Sequence, residues 1–387
     1  MAKMNSCVAA VIAAGIAVAA QAVTVVDVSG TGVEKTKVSV EVEGSAAFKK
    51  TLERNLFLSG AFKLATPKHA SIRVTGQVGG RIVAQGRGKQ LALPSRAADD
   101  KAARTEARML ADKMCEAYAG QKGFASDKIV FVCKNGRVEE LCTGYADGYD
   151  VRQLTNARRA TVGPRWKDAN TIFYTGYHNN APQIFEISAE GGRSRMAWGF
   201  GGLTTGATMS PDGRTAAIIL SKPFGNPELC TIDTARKTWN RLTTTRAGSE
   251  GQPAWSPDGK KIVYVSDESR RQHLYMIDVN GKGKRRLTSS GRQNVDPDWG
   301  PDGRIAYASK RDKGFQIAVI SPAEGDKAAS LVTEPGTWEH PSWARDRRHL
   351  VAERDGALFL IDTLENGDKP VKLFSLQGKC TMPSWQR

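Results

Sequence analysis

Aspartate and tryptophan side chains recur in a fixed pattern along this chain, and both residue types are able to do chemistry. Pro253-Ala254-Trp255 is followed at once by Ser256-Pro257-Asp258-Gly259. Carboxylates serve as general acids, general bases or metal ligands, and an indole offers a large flat surface to a ligand. A chemical site and a purely structural unit would each explain such a stretch.

The spacing of the copies favours the structural explanation. A Pro-x-Trp core occurs five times, and a sixth copy carries Met in place of Trp. The intervals of 43, 46, 44, 44 and 42 residues are typical of β-propeller blades, which contain several strands each. Ser-Pro-Asp-Gly predicts a type I turn, so we predict that the aspartates are turn residues and that the tryptophans pack between blades. The marker residues are Trp166, Met209, Trp255, Trp299, Trp343 and Trp385.

Recognisable catalytic and ligand motifs are missing from the sequence. It has no Gly-x-Ser-x-Gly elbow, no P-loop and no carboxylate pair that stands apart from the turn aspartates. The glycine-rich segment at 76–88 lacks a following helix and predicts a hairpin instead of a nucleotide loop. No Cys-x-x-Cys pair occurs and the five histidines are scattered. We therefore predict no catalytic residues, no metal and no cofactor.

Two incomplete sets of strands flank the complete repeats. Strand patterns at 128–133, 139–148 and 151–155 have no Pro-x-Trp start, and the Pro-x-Trp strand at 380–387 has nothing after it. Joined, they would form one further blade, which makes six in all. The C-terminal strand would then close the ring and remove both sheet edges.

The first residues have the features of an export signal. Lys3 is followed by an unbroken run of small apolar residues at Val8–Ala20, and Ala20-Gln21-Ala22 fits the small-x-small cleavage rule. The apolar run is too short to span a bilayer. We predict a signal peptide at residues 1–22 and an exported mature chain without a transmembrane segment.

Residues 23–127 lack the repeat and predict a separate α/β domain. After two strand patterns, a helical pattern at 45–60 has Ser45 as its cap, and a second helix is predicted at 99–120. We expect two helices on one small mixed sheet, followed by an all-β part, the six-bladed β-propeller at 128–387.

Five cysteines remain after removal of the signal, and an exported protein meets an oxidising compartment that permits disulfides. The odd number leaves at least one free thiol. The composite blade would bring Cys380 close to Cys133 and Cys142. A closing disulfide from Cys380 to one of the two and a trio of reduced thiols both stay open, because geometry decides between them.

The formal net charge is +16, and the surplus is spread over both predicted domains instead of lying in a tail. The basic clusters at 282–286 and 345–349 lack the interleaved aromatic residues of single-strand binders. We predict no nucleic-acid binding. An acidic protein partner, an anionic envelope surface and a merely solvated basic face stay open, and we hypothesise that the basic face aids capture of an acidic partner.

Several segments together resemble one family. They are "SGAFKL" after the first helix, "ARTEARMLADKMCEAYAGQKGFASDKIVFV", "ADGYDVRQLT" and the "PxWSPDG" copies, in that order. The chain resembles the TolB family, the periplasmic β-propeller proteins of the Tol–Pal system, over essentially its whole mature length. It departs from the family at Met209, at "KDAN" (167–170) and in its short α/β domain.

The resemblance implies a function without catalysis. A TolB-like protein is a monomeric periplasmic adaptor, and its propeller binds the peptidoglycan-associated lipoprotein Pal over the central opening of the ring. Its N-terminal strand engages TolA, the inner-membrane-linked partner. The system supports outer-membrane integrity and constriction at cell division.

Candidate binding residues follow from position in the predicted propeller. Loops just before each innermost strand would converge on one mouth of the channel and bind the Pal-like partner. These residues are Arg159, Thr161, Leu203, Thr204, Glu250, Asn294, Glu339, His340 and Lys379. The residues that match the TolA-binding strand are Val23, Thr24, Val25, Val26 and Asp27.

Two other classes of function are compatible with a propeller. An enzyme or binding protein acting on a small molecule or peptide would need a polar cluster deep in the central channel, with perturbed carboxylates or a metal. A carbohydrate-binding propeller would need exposed aromatic residues on one face, whereas the repeated tryptophans are predicted to be internal.

Overall fold

The computed structural model describes residues 34–156, 160–364, 369–374 and 376–387. The predicted signal peptide and the strand at Val23–Asp27 lie outside the described residues. The chain forms a small α/β domain followed by a six-bladed β-propeller, as the sequence predicts. Among the helices described, none combines the length and apolar character that crossing a bilayer requires.

The sheet of the α/β domain is mixed. Its strand order is β2-β1-β3-β4-β5, in which β1 lies parallel to β2 and β3, and the β3–β4 and β4–β5 pairs are antiparallel. The strands are β1 (Thr36–Glu43), β2 (Phe62–Leu64), β3 (Ile72–Gln77), β4 (Arg81–Gly86) and β5 (Lys89–Pro94).

Both helices of this domain begin at the caps that the sequence predicts or favours. The Ser45 hydroxyl accepts the N–H of Phe48 at 3.2 Å, and the Asp99 carboxylate accepts the N–H of Ala102 at 2.7 Å. The second helix ends at Gly120, whose φ of 66° suits glycine. The helical segments are α1 (Ala46–Leu58), α2 (Asp100–Met114), its π-helical continuation Cys115–Ala119, and the 3₁₀ turns Pro67–His69 and Gly325–Ala328.

The propeller consists of six four-stranded antiparallel sheets. In each blade the innermost strand carries the Pro-x-Trp core or its sixth, variant copy. The innermost strands are β9 (Val162–Trp166), β13 (Thr204–Met209), β17 (Glu250–Trp255), β21 (Gln293–Trp299), β25 (Glu339–Trp343) and β29 (Lys379–Trp385). The second strands are β10 (Thr171–His178), β14 (Thr215–Leu220), β18 (Lys261–Ser266), β22 (Ile305–Arg311), β26 (His349–Arg354) and β6 (Lys128–Asn135).

The outer half of each blade is less regular, because its fourth strand is short. The third strands are β11 (Ala181–Ser188), β15 (Glu228–Asp233), β19 (His273–Asp278), β23 (Gly314–Ile320), β27 (Ala357–Asp362) and β7 (Val138–Tyr145). The outermost strands are β12 (Arg195–Trp198), β16 (Trp239–Arg241), β20 (Arg285–Arg286), β24 (Ser330–Leu331), β28 (Val371–Lys372) and β8 (Arg152–Gln153).

The ring is closed by the last strand of the chain, as predicted. β29 pairs antiparallel with β6, with Lys379 opposite Lys134 and Trp385 opposite Ile129. The sixth blade therefore has the order β29-β6-β7-β8 and joins the two ends of the propeller sequence. Closure leaves no innermost strand unpaired in the ring.

The cysteines of the sixth blade adopt neither of the two states left open by the sequence. A disulfide joins Cys133 to Cys142 within the β6–β7 hairpin. Cys380 lies opposite Cys133 in the β29–β6 ladder and keeps a free, buried thiol. Burial raises the pKa of the Cys380 thiol to about 12. The covalent bond therefore reinforces one hairpin and does not cross the closure.

The repeated aspartates and tryptophans are structural, as predicted. The Asp258 carboxylate accepts the Ser256 hydroxyl at 2.6 Å and the N–H of Lys260 at 3.1 Å, which stabilises the turn. Trp343 and Trp385 are fully buried. The Trp255 indole N–H donates to a carbonyl of the preceding blade at 3.0 Å. The pattern therefore builds blades and joins them.

Candidate functional site

The central channel has two chemically different ends. All six innermost strands run in the same direction, because every blade repeats the same antiparallel order from the axis outward. We call the end where they begin the loop mouth and the end where they finish the tryptophan mouth. The α/β domain contacts the propeller beside the tryptophan mouth, where Phe124 packs against Trp385 and Asp127 pairs with Arg345.

Four of the predicted site residues have buried side chains at the loop mouth. The Thr161 hydroxyl donates to the Glu139 carbonyl at 2.9 Å, and the Thr204 hydroxyl accepts the N–H of Phe200 at 3.3 Å. The Asn294 amide donates to the Ser290 carbonyl at 2.8 Å. The carboxylate of Glu250, the fourth residue, accepts hydrogen bonds from two hydroxyl groups. In this structure these side chains hold the loops in place and so fix the shape of the mouth.

The other predicted residues of the mouth are more accessible. Leu203, Glu339 and His340 are half-buried, and Lys379 is exposed. Because they lie at the starts of β13, β25 and β29, they come from three different blades and surround one opening. Arg159 and the strand Val23–Asp27 lie outside the described residues.

Glu250 gives the first testable prediction. Burial raises the pKa of its carboxyl to about 7, since the hydroxyls of Thr245 and Ser266 reach only Oε1 and the buried Oε2 has no partner among the described residues. A carboxyl whose native pKa lies above the unfolded value stabilises the native state at low pH. That contribution is lost as the pH rises from about 4.5 to 7.

The Glu250→Gln variant lacks this titration. The stability of the variant relative to wild type should therefore rise by about 3 kcal/mol between pH 4.5 and pH 8, as an upper bound from 1.36 kcal/mol per pKa unit. Urea unfolding at both pH values measures the difference. Other groups that titrate in this range are common to both proteins and cancel. A difference in unfolding free energy that is independent of pH would contradict the raised pKa.

A second set of residues at this end forms what we call the bulge ring. Each innermost strand has a register irregularity against its neighbour near the residue that precedes the Pro-x-Trp core or its variant copy. That residue has a positive φ, between 50° and 69°, in all six blades. Such a conformation costs about 1 kcal/mol or more for a residue other than glycine. The bulge ring consists of Gly163, Gly206, Gln252, Asp296, His340 and Met382.

Members of the bulge ring contact one another across blades. Gln252 exchanges two hydrogen bonds with Asp296, one of them from the Asp296 N–H at 2.9 Å. Asp296 in turn accepts the N–H of His340 at 3.1 Å. The Met382 thioether accepts the N–H of Gly163 at 3.3 Å. Four side chains thus line one side of the ring, and two glycines leave its other side open.

His340 is the member of the bulge ring that lies between two carboxylates. Its Nδ1 lies 3.2 Å from Glu353 and its Nε2 lies 3.7 Å from Asp296. Burial by itself lowers the pKa of His340, but the attraction of Asp296 and Glu353 outweighs burial and raises it. Glu339 lies beside this cluster, and burial raises the pKa of its carboxyl.

Among the described residues, one group of side chains has metal-ligand atoms close enough to approach an ion together. It consists of Glu339, His340 and Glu353. Their donor atoms lie within 4.8 Å of one another. Ligand atoms around Zn²⁺ are about 3.3 Å apart, given bonds of about 2.0 Å. The side chains would have to move together to share an ion, and in the present geometry they form a histidine–carboxylate cluster instead.

Sequence reasoning named His340 but missed the other members of the bulge ring. The residue before the Pro-x-Trp core differs chemically in the six copies, but so does the residue before it, so variation along the repeat does not single out this position. What the sequence could not reveal is the backbone bulge that brings these residues together.

Comparison with known proteins places the chain in a family. The family described as the TolB beta propeller domain matches residues 115–387. The chain belongs to the TolB β-propeller family.

Individual TolB relatives agree with this assignment. The Tol-Pal system protein TolB of Francisella tularensis subsp. tularensis (strain WY96-3418) is 28% identical over 239 residues, which are 57% of this chain and 54% of the relative. The match thus spans about half the length of that protein. The crystal structure of TolB from Acinetobacter baumannii superposes with a TM-score of 0.80, covering 93% of this chain and 98% of that one at 21% identity.

The propeller itself does not determine function. The Kuenenia stuttgartiensis hydrazine synthase shares the propeller with a TM-score of 0.51 at 14% identity, over 67% of this chain and 46% of that one. Similarity at this distance concerns the fold alone. Membership of the TolB family identifies a propeller related to Tol-Pal system proteins, and these homologues are not named as enzymes.

Proposed function

We propose that this protein is a non-enzymatic periplasmic adaptor of the Tol–Pal system, and that its loop mouth binds a Pal-like lipoprotein. The observation that carries the proposal is the bulge ring. Six equivalent backbone positions present unlike side chains around one opening, from glycine to carboxylate. A rigid, asymmetric ring of this kind suits recognition of a single folded partner, because little conformational entropy is lost on binding.

The proposed contact residues are the accessible ones. The residues that would touch the partner are Gln252, His340, Glu339, Leu203 and Lys379. The buried predicted residues Thr161, Thr204, Glu250 and Asn294 would support the loops, and Arg159 belongs to the proposal by its position in the chain only.

Charge at the loop mouth supports an acidic partner. In the described loops of this face and at the adjoining ends of the three inner strands of each blade, nine basic side chains and three acidic ones are exposed. Opposite charge on a partner would speed its approach and would make the association rate depend on salt. The basic residues are Arg137, Lys222, Arg246, Arg270, Arg271, Arg292, Lys310, Lys313 and Lys379; the acidic ones are Asp312, Glu334 and Asp355.

The N-terminal region completes the proposed adaptor. Residues Val23–Asp27 would engage a TolA-like protein linked to the inner membrane. The two interactions together would connect the envelope layers, support outer-membrane integrity and contribute to constriction at division. The predicted export signal at residues 1–22 accords with a periplasmic location.

Calorimetric titration tests the proposal directly. The mature protein, residues 23–387, is titrated with the periplasmic domain of the Pal-like lipoprotein from the same organism. We expect one-to-one binding, weakened about tenfold (~1.4 kcal/mol) by Lys379→Glu and by His340→Ala. The matched control is Lys260→Glu, which reverses an exposed charge beside the tryptophan mouth and should bind like wild type.

The outcomes separate cleanly. Loss of affinity in the Lys379 and His340 variants alone supports a site at the loop mouth. Equal loss in the Lys260 variant would indicate a non-specific charge effect and contradict the proposed location. Absence of binding by a folded wild-type protein would overturn the Pal-like assignment.

A further inference from the structure

The tryptophan mouth contains a cavity that the proposed function does not use. Its volume is about 560 Å³. Residues from five of the six blades line it, and none of its lining residues comes from the α/β domain. The lining includes Arg165, Trp255, Asp298, Trp299, Trp385 and Arg387.

Arg165 has no acidic partner in this cavity. No carboxylate of the described residues lies within ion-pair distance of its guanidinium. Its hydrogen bond goes from Nη1 to the carbonyl of Pro164, the neighbouring residue, at 3.0 Å. Burial lowers the pKa of Arg165, and attraction to Asp298 and Asp296 offsets this only in part. Arg165 is half-buried and lines the cavity, so the unused donors of its guanidinium are available to a ligand that accepts hydrogen bonds.

Asp298, the carboxylate that attracts Arg165 most, is already engaged. Asp298 Oδ1 pairs with Arg387 Nη2 at 2.5 Å, and its Oδ2 accepts the N–H of Trp343 at 2.7 Å. Arg387 also donates to the Trp299 carbonyl at 2.7 Å. Inside the cavity, one carboxylate therefore faces two guanidinium groups.

The remaining charged residues of the lining have hydrogen-bond or ion-pair partners of their own. Lys167 pairs with Glu186 at 2.9 Å, outside the cavity. Asp212 accepts the Ser210 hydroxyl at 2.6 Å, and Asp168 accepts the N–H of Asn170 at 2.8 Å. These groups lie in the turns at the rim, where water screens them. Over the whole lining three basic side chains balance three acidic ones, and only the interior, where Arg165 and Arg387 face Asp298, is locally positive.

Arg165 does not make the interblade hydrogen bond that two of its equivalents in the repeat make. It occupies the position just before the marker residue of its blade. The equivalent residues of two other blades are Asp298 and Ser342. Each accepts the backbone N–H of a tryptophan in the next blade, at 2.7 and 3.0 Å. A guanidinium has no acceptor and cannot replace them. Arginine at this place calls for a different explanation.

We infer that the tryptophan-mouth cavity binds a compact carboxylate ligand through Arg165. The planar guanidinium matches a carboxylate with two parallel hydrogen bonds. The half-buried Trp166 and the turn prolines Pro211, Pro257 and Pro301 form apolar walls that fit an aliphatic or flat body. The carboxylate belongs either to the C-terminus of a peptide or to a free organic acid. This site lies at the opposite end of the channel from the proposed Pal-like site.

Three probes distinguish these sources by calorimetry with the mature protein. They are the tripeptide acetyl-Ala-Ala-Leu with a free carboxylate, the same tripeptide as its C-terminal amide, and benzoate. We expect at least one of the two carboxylate probes to bind saturably. The peptide amide should bind about 10- to 100-fold more weakly than the matching peptide acid. Binding of the peptide acid alone would assign a chain terminus, and binding of benzoate alone a small organic acid.

Variants test the role of Arg165 and the charge balance. Arg165→Gln should weaken carboxylate binding about 10- to 100-fold. Asp298→Asn retains an acceptor for the Trp343 N–H but leaves two uncompensated guanidiniums, so it should strengthen binding. The matched control Arg193→Gln removes an exposed arginine elsewhere on the propeller and should leave affinity unchanged.

Thermal unfolding of each variant establishes that it is folded before titration. Three results would overturn the inference: no binding of any probe by wild type, equal affinity for peptide acid and amide, or unchanged affinity in Arg165→Gln. A loss in both the Arg165 and the Arg193 variants would also contradict a specific site, because it would show only a dependence on net charge.

Discussion

Removal of residues 379–387 should abolish cooperative folding of the propeller. These residues are β29, which provides the innermost strand of the sixth blade, and the two residues after it. Trp385 is fully buried against Phe124. Loss of one such side chain costs about 3–5 kcal/mol, and a domain has only about 5–15 kcal/mol in total. The deletion also leaves the edge of β6 unpaired and opens the ring.

Denaturant titration followed by tryptophan fluorescence and near-ultraviolet circular dichroism measures this effect. Adding a synthetic peptide of residues 376–387 should restore a cooperative transition, because it supplies the missing strand. The control deletes only Gln386 and Arg387, which lie beyond β29, and should unfold cooperatively. A full deletion that kept the wild-type midpoint would show that closure by β29 does not stabilise the ring.

Arg108→Met should lower the free energy of unfolding by about 3–5 kcal/mol, because it breaks a buried ion-pair network between the two domains. Arg108 lies on α2 and donates to Asp147 at 2.6 and 3.1 Å and to Asp150 at 2.8 Å. Its guanidinium also lies 3.7 Å from the centre of the Tyr145 ring. The side chain of Asp147 is completely buried, so the variant would leave it without its charged partner.

A double variant makes this prediction specific. Arg108→Met with Asp147→Leu removes both charges and should recover much of the lost stability. Arg96→Met replaces an exposed arginine of the same domain and should change stability by no more than about 0.5 kcal/mol. Urea unfolding compares the four proteins. If the double variant were as unstable as Arg108→Met, the buried charge of Asp147 would not be the cause.

The same ion-pair network explains the structural role of the segment "ADGYD", which the sequence showed only as a mark of family resemblance. "ADGYD" contributes both aspartates that hold α2, and Arg104 pairs with the second of them, Asp150, at 2.5 Å. The segment therefore attaches the α/β domain to the sixth blade. From the sequence alone it was a sign of family resemblance, because the partners Arg104 and Arg108 lie about 40 residues earlier in the chain.

Most of the architecture could be predicted because it depends on local rules that repeat. Six copies of the Pro-x-Trp strand or its variant predicted the number of blades, and the unmatched strands at each end predicted closure by the C-terminal strand. Helix caps such as Ser45 and Asp99 act within one turn of chain, so their effect is visible in a few residues.

The binding site was predictable only in part. The sequence indicated which loops meet at one mouth, but not that Glu250 and Asn294 point into the protein while Lys379 faces water. Strand alternation is interrupted by the bulges of the innermost strands, so a count along the chain does not tell which side chain is accessible. The disulfide was equally undetermined, because three cysteines of one blade are close enough to pair in more than one way.

The sequence by itself determined the repeat, the blade count, the turn chemistry and the family, since each is carried by residues close together in the chain. Tertiary structure alone decided which residues from different blades share a surface. The bulge ring joins residues about 44 positions apart, and the cavity at the tryptophan mouth sets Arg165 across the channel from Asp298. Such contacts depend on how six blades close around an axis, and no local pattern encodes that geometry.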